Sequence, residues 1–307
     1  MVFDVHILGS GSATPQLHRN MTAQYVNVLE RHIMIDCAEG TQLQFQKFRI
    51  KPFRIDYILI SHLHGDHYLG LVGFLSSQHL FGRKKPLKIF APTALQDIIF
   101  SQLAASKTTL GYDIEFVGLE SKESELIFED NVIEIYTIPL EHRVYCNGYL
   151  IREKIKPRRI NKPVCDQYKV PIAMMHLLIK GHDWVKDNGV VVQNTELTFP
   201  PVKSRSYAFC SDTRYAPKNI EMLKGVDLLY HEATFMHEML DRAKKTFHST
   251  ALQAATFAKE AEVKQLIMGH FSVRYREVDC FEEEAKAVFP NSKAVNDGDK
   301  YSIPLEK

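Results

Sequence analysis

Three imidazoles and a carboxylate crowd into six residues at His62-Leu63-His64-Gly65-Asp66-His67, immediately after the apolar, β-branched run Ile55–Ser61. Polar groups at that density are costly to hold together unless a cation binds them. Nitrogen and oxygen donors in this mixture suit zinc or a similar borderline metal. If the loop is extended, His62 and His64 project to one side while Gly65 carries Asp66 and His67 round, so one segment serves two adjacent ions. Any fold open to this chain must therefore aim the loop from a rigid support and bring further ligands to it.

The same grammar recurs downstream. Ile133–Ile138 runs into Pro139 and His142, Tyr207–Ser211 into Asp212, Val226–Tyr230 into His231-Glu232, and Leu266–Gly269 into His270. Each candidate ligand stands just past a probable strand, and an apolar helical pattern from Gly70 to Leu80 follows the histidine loop. That alternation predicts an α/β fold, in which strand ends are where sites are built. A chain of 307 residues with 45% hydrophobic and 24% charged content has room for one large core or two fused halves. Taken alone, His142 fits a surface histidine, Asp212 a turn cap and His270 a buried core group. Beside a loop that wants two ions they make a ligand set, because a carboxylate at Asp212 has two oxygens to share.

The five cysteines are scattered without a CxxC pair, and are read as reduced, mostly buried thiols. The opening Met1-Val2-Phe3-Asp4 lacks the pattern of a secretory signal, and the apolar stretches have strand length, so a cytoplasmic protein with no membrane partner is expected. Net charge is only +1, yet Ile151–Asp187 carries nine Lys and Arg against four acids, a local excess of five. With Pro157, Pro163 and Pro171 breaking regular elements, residues 151–199 are predicted to form a basic excursion from a single domain spanning 1–307. A basic stretch of this kind suits a phosphate backbone, while the apolar Ala173–Leu178 fits a contact with another subunit instead.

Further segments narrow the reading: Leu8-Gly9-Ser10-Gly11-Ser12-Ala13-Thr14-Pro15, Ile35-Asp36-Cys37-Ala38-Glu39-Gly40-Thr41, Ser211-Asp212-Thr213-Arg214, His231-Glu232-Ala233-Thr234-Phe235 and His248-Ser249-Thr250. Together with the order HxHxDH, His, Asp, His, they make the chain similar to the metallo-β-lactamase superfamily and, within it, to the short form of ribonuclease Z, the endonuclease that processes transfer-RNA 3′ ends. The HxHxDH run marks only the superfamily; the His-Glu-Ala-Thr and His-Ser-Thr pair is far more specific.

The resemblance implies an αββα sandwich with an inserted basic arm that grips precursor transfer RNA, and a homodimer. The tip departs from the Gly-Pro-rich family pattern, with no glycine from Lys169 until Gly181. It implies two zinc ions, one held by His62, His64 and His142, the other by Asp66, His67 and His270, with Asp212 bridging. A water between the ions would be the nucleophile, Asp66 its proton acceptor or orienting group, and Glu232 with His248 the pair at the leaving oxygen. Thr250 and Gln253 also fit a capping box, so His248 has a structural reading as the residue before a helix. Lys203 and Arg205 in Pro201-Val202-Lys203-Ser204-Arg205 resemble a loop near the substrate's 3′ end, and Lys154, Lys156, Arg158, Arg159 and Lys162 are the arm's candidate RNA contacts. Gly9-Ser10-Gly11-Ser12 lacks the lysine of a phosphate loop and is read as a tight turn on the site's floor. A small-molecule phosphodiesterase or arylsulfatase-like hydrolase is the alternative, since the same ions would serve those esters; only the arm distinguishes them.

Overall fold

The computed structural model describes residues 1–306. Its larger compact unit comprises Met1–Arg152 and Ser206–Ile303 and contains two seven-stranded sheets. In spatial order the first runs Lys300–Ser302, Phe3–Gly9, Ala23–Val28, Arg31–Ile35, Tyr57–Leu59, Leu87–Pro92 and Ile114–Leu119, the last four parallel. The second runs Ser292–Ala294, Gln265–Gly269, Leu228–Glu232, Ser206–Cys210, Asn147–Glu153, Ile133–Pro139 and Leu126–Glu129, the first four parallel.

Strand side chains alternate between faces, and here both faces are apolar. Val26, Val28, Ile33, Ile35 and Phe90 from the first sheet meet Tyr149, Tyr207, Phe209, Tyr230 and Ile267 from the second in the layer between the sheets. The intervening residues Met34, Ile58 and Ile89 face the helices Leu71–Leu80 and Ala94–Ala105. Ala208, Leu229 and Met268 likewise face Ala251–Glu260 and Asp279–Lys286. The result is the expected αββα sandwich. Ala251, Ala254, Ala255 and Ala258 are all fully buried, so small side chains let that helix lie close on its sheet. Its start is the capping box Thr250–Gln253. No helix of the described residues is long and apolar enough to cross a membrane.

Glu153–Arg205, with residues 304–306, forms a second compact unit. It is more regular than its prolines suggest: the ribbons Arg159–Ile160 with Thr198–Phe199 and Trp184–Val185 with Val191–Val192 accompany the short helices Lys162–Gln167, Met175–Leu178 and Asn194–Leu197. Pro163 sits in the first turn of its helix, where a missing N–H costs nothing. Cys165, Val170, Leu178, Trp184, Val192 and Leu197 make a separate small core, and Met174 and Met175 from the run Ala173–Leu178 pack against it. The unit's main segment runs from 153 to 205, and Glu153 and Arg205 pair where it begins and ends.

Candidate metal centre

The strands that lead to the candidate ligands end at one edge of the two sheets. Tyr57–Leu59 releases His62 and His64, and Gly65 opens the four-residue helix Gly65–Tyr68 that turns Asp66 and His67 back toward them. Ser206–Cys210 leads to Asp212, Gln265–Gly269 to His270 and Ile133–Pro139 to His142. His64 Nδ1 lies 3.0 Å from His62 Nε2 and 3.2 Å from His142 Nε2. Asp212 Oδ2 is 3.6 and 3.9 Å from those same two Nε2 atoms. Its other oxygen, Oδ1, is 3.4 Å from His67 Nε2 and 3.1 Å from His270 Nε2, both of which are 3.5 Å from Asp66 Oδ2. Donors of a tetrahedral zinc shell, with metal–ligand bonds of about 2.0–2.1 Å, stand roughly 3.3 Å apart. Two donor sets of that size therefore share one carboxylate, one oxygen each.

The donor chemistry fits cations. The Nε2 atoms of His67 and His270 are buried and make no hydrogen bond, an arrangement that costs free energy unless something else binds them. Asp36, Asp66 and Asp212 all converge on His67. Burial works against charge on His67, but these three acids outweigh it and drive its pKa well above the usual histidine value. Burial would likewise raise Asp212; His270, His67 and His62 instead hold it far below the usual carboxylate range. Burial keeps His62 neutral, the form that binds metal.

The far side of four of the five rings is fastened, which fixes their tautomers and aim. His67 Nδ1 bonds Asp36 Oδ2 at 2.7 Å, and Asp36 is itself held by the Ser61 N–H and hydroxyl. His62 Nδ1 meets Ser61 Oγ at 3.0 Å, His142 Nδ1 the Phe247 carbonyl at 3.1 Å, and His270 Nδ1 Thr234 Oγ1 at 2.9 Å. Asp36, Phe247 and His270 all have left-handed backbones, with φ of 57°, 59° and 62°. Non-glycine residues rarely adopt this conformation, and such strain concentrates at functional sites. The floor is the turn after Gly9. A Cβ at Gly9 would lie 1.7 Å from the Met21 carbonyl oxygen, so only glycine lets the chain pass and bring the Ala13 N–H to Asp66 Oδ2 at 2.7 Å.

Beside the donor sets, His248 Nδ1 bonds Glu232 Oε1 at 2.8 Å. Glu232 is fully buried and accepts three more bonds, from the Thr213 N–H and from the N–H and hydroxyl of Thr234. Burial pulls the His248 pKa down, but the Glu232 charge more than offsets it and lifts the group to about 9. Thr250 does cap the next helix, so the structural reading of this segment holds. His231 is a packing group: buried, its ring lies against Phe257. Above lies a cleft of about 330 Å³ that His64, Asp66, Asp212, His248 and His270 share with Arg143, Arg242 and Arg274.

Residues 3–142 match the family model described as anti-Pycsar protein Apyc1. Over 290 residues the chain is 45% identical to "Ribonuclease Z" of Bacteroides fragilis (strain YCH46), a match covering 94% of this chain and 95% of that protein. The chain belongs to the ribonuclease Z family. Among solved structures it is similar to human tRNase Z, short form, with 26% identity and a TM-score of 0.71 over 98% of this chain and 99% of that one. It shares its fold, at 16% identity and a TM-score of 0.68, with the metallo-beta-lactamase fold protein YhfI from Bacillus subtilis, over 98% of this chain and 100% of that one. A ribonuclease Z on this fold binds divalent metal, and the clustered His and Asp residues are placed for it.

The basic residues picked for RNA contact are less uniform than the ribonuclease Z resemblance implies. Arg205 is corrected outright. It is 3% exposed, and its Nε and Nη2 both bond Glu153 Oε1, at 3.1 and 2.6 Å, so this guanidinium closes the base of the second unit rather than meeting phosphate. Lys156 bonds Glu153 as well, at 2.7 Å, and Arg158 is half-buried with Nε on Thr198 Oγ1. Arg159 is exposed over the Phe199 ring, Lys162 is exposed with Asp166 beside it, and Lys203 is exposed 3.9 Å from Glu306. Lys154 is half-buried. Sequence reasoning missed the cleft arginines, which belong to no local pattern, and gave no role to Asp36, although it lies in a segment that carried the resemblance.

Proposed function

We propose that this protein is a zinc-dependent endoribonuclease that hydrolyses the phosphodiester at the 3′ end of precursor transfer RNA, removing the trailer and leaving a 3′-hydroxyl. The observation that carries the reading is Asp212, which offers one oxygen to each of two donor sets beside the Glu232–His248 pair. His62, His64 and His142 with Oδ2 would hold one zinc, and Asp66, His67 and His270 with Oδ1 the other. When bound, the ions supply a water that ionises near neutral pH and positive charge facing the phosphate.

The chain's own groups do the rest. Burial favours a protonated Asp66, but His67 and His270 dominate and leave it a very weak base. Pinned by the Ala13 N–H, it positions the attacking group rather than keeping its proton. His248, charged in the neutral range, gives its proton to the departing 3′ oxygen, and Glu232 fixes which ring nitrogen faces the cleft. Arg143, Arg242 and Arg274 meet the phosphates on either side of the cut. Lys154, Lys156, Arg158, Arg159 and Lys162 give the inserted arm its attraction for the RNA, which a small ester does not need, and Lys203 meets the substrate near its 3′ end. We assign the protein to the cytoplasm as a homodimer by family resemblance. Incubation with a trailer-bearing precursor transfer RNA, followed by mapping of both ends, tests the reading: one cut at the 3′ end with a 3′-hydroxyl supports it, and turnover of small esters alone sinks it.

A further inference from the structure

The cleft over the donor sets has two flanks of different chemistry. One carries His248 with Phe235, Arg242 and Arg274. The other is reached past Arg143, which lines the metal cleft and also a neighbouring cavity of about 290 Å³ together with Lys122, Tyr145 and Lys218. Beyond Val144 and Tyr145, which this cavity shares, opens an apolar pocket of about 450 Å³ walled by Leu63, Pro92, Thr93 and Leu119. The walls grow from the ligand-bearing backbone itself, since Leu63 stands between His62 and His64, and Val144-Tyr145 follow His142 by two and three residues. The Tyr145 ring packs on the layer between the sheets, and its hydroxyl accepts the Asn147 Nδ2 bond at 2.7 Å, which fixes its place. Val144 is 42% exposed. Charge around the strip is mainly positive, with Lys122, Arg143 and Lys218 against Glu120, although Lys218 shares Glu141 with Arg214.

An apolar slot with a fixed ring and a cationic rim matches an unpaired nucleotide, which has a flat apolar base and a phosphate on either side. A paired stem shows its edges and phosphates but no free base face. Which unpaired nucleotide follows from His248, on the proposed function given above. The oxygen that leaves belongs to the transfer RNA, so its last nucleotide occupies the His248 flank and the severed strand departs over the other. We propose that the pocket of Leu63, Thr93, Val144 and Tyr145, with its Lys122–Arg143 rim, binds the nucleotides of the 3′ trailer that follow the first.

The test compares two precursors, one with a single-nucleotide trailer and one with a trailer of about eight nucleotides, a stretch that spans a typical single-strand site. Wild type should show the lower KM on the longer trailer. Val144→Asp, which puts a negative charge at the slot, and Lys122→Ala, a change at an exposed position that spares the fold, should each erase that preference. The KM on the long trailer should rise about tenfold for Val144→Asp, the scale of one lost stacked base, with the short-trailer KM and bis-p-nitrophenyl phosphate hydrolysis as controls on the centre. Variants that keep the preference, or lose the two precursors equally, overturn the assignment. If wild type cuts both precursors with equal KM, the trailer site is wrong while the function stands; if wild type cuts neither, the function itself is wrong.

Discussion

Asp212 is the residue on which both donor sets depend, so Asp212→Ala should empty the centre and stop turnover together. Elemental analysis beside a cleavage assay reads this, and a variant that retained two ions per chain at wild-type rate would refute the bridging role. Asp36 acts one step back, through His67; Asp36→Ala should weaken metal affinity by about 10–100-fold, the usual cost of a lost outer partner. His248→Ala should leave metal content alone and slow single-turnover RNA cleavage by about 10²–10⁴. Hydrolysis of bis-p-nitrophenyl phosphate, whose leaving group needs no proton, should be spared. The pH profile carries the sign. A pKa raised to about 9 means that the acid form is present through neutrality and is lost as pH rises past that value. Glu232→Gln removes the opposing charge, so the alkaline limb of RNA cleavage should move to lower pH. An unmoved limb would detach His248 from the proton transfer. The clustering of the candidate ligands was legible in the sequence because dense metal donors have few other uses. Arg205 was misread because charge alone does not reveal a buried partner such as Glu153, 52 positions away.

Among elements, the strands of the sandwich could be read from their apolar runs, and their ends predicted where ligands emerge. The sequence places His231-Glu232 just past a strand, whereas both lie within Leu228–Glu232; the terminal position of Glu232 is what turns it to His248. The inserted unit was the less legible part. Its elements are two to six residues long, too short for a periodic pattern, and its core joins Cys165 to Leu197 across intervening polar turns. That small core makes a local prediction: Trp184→Ala should cost the unit about 3–5 kcal/mol. Hydrogen exchange should then speed up within 159–199 while the sheet strands keep their protection. Uniform acceleration through the whole chain would show that the unit does not hold itself together.

For the whole molecule, the decisive experiment is removal of Lys154–Ser204 behind a short Gly/Ser bridge, since no candidate ligand lies within it. Small-ester hydrolysis should persist, while RNA cleavage should fall steeply at moderate salt and lose most of its salt dependence, because each phosphate contact contributes to that slope. Undiminished RNA cleavage would leave the arm without a role in recognition. The order of assembly has its own outcome. Phe3–Gly9 lacks its outer neighbour until Lys300–Ser302 arrives, and Asp297 holds Ser10 and Asn20, which frame the turn that presents Ala13 to Asp66. Domains emerge from the ribosome in order. A nascent chain still missing residues 297–302 thus carries all seven candidate ligands before the floor beneath them is finished, so the nuclease should come of age only after its synthesis has passed the last of them.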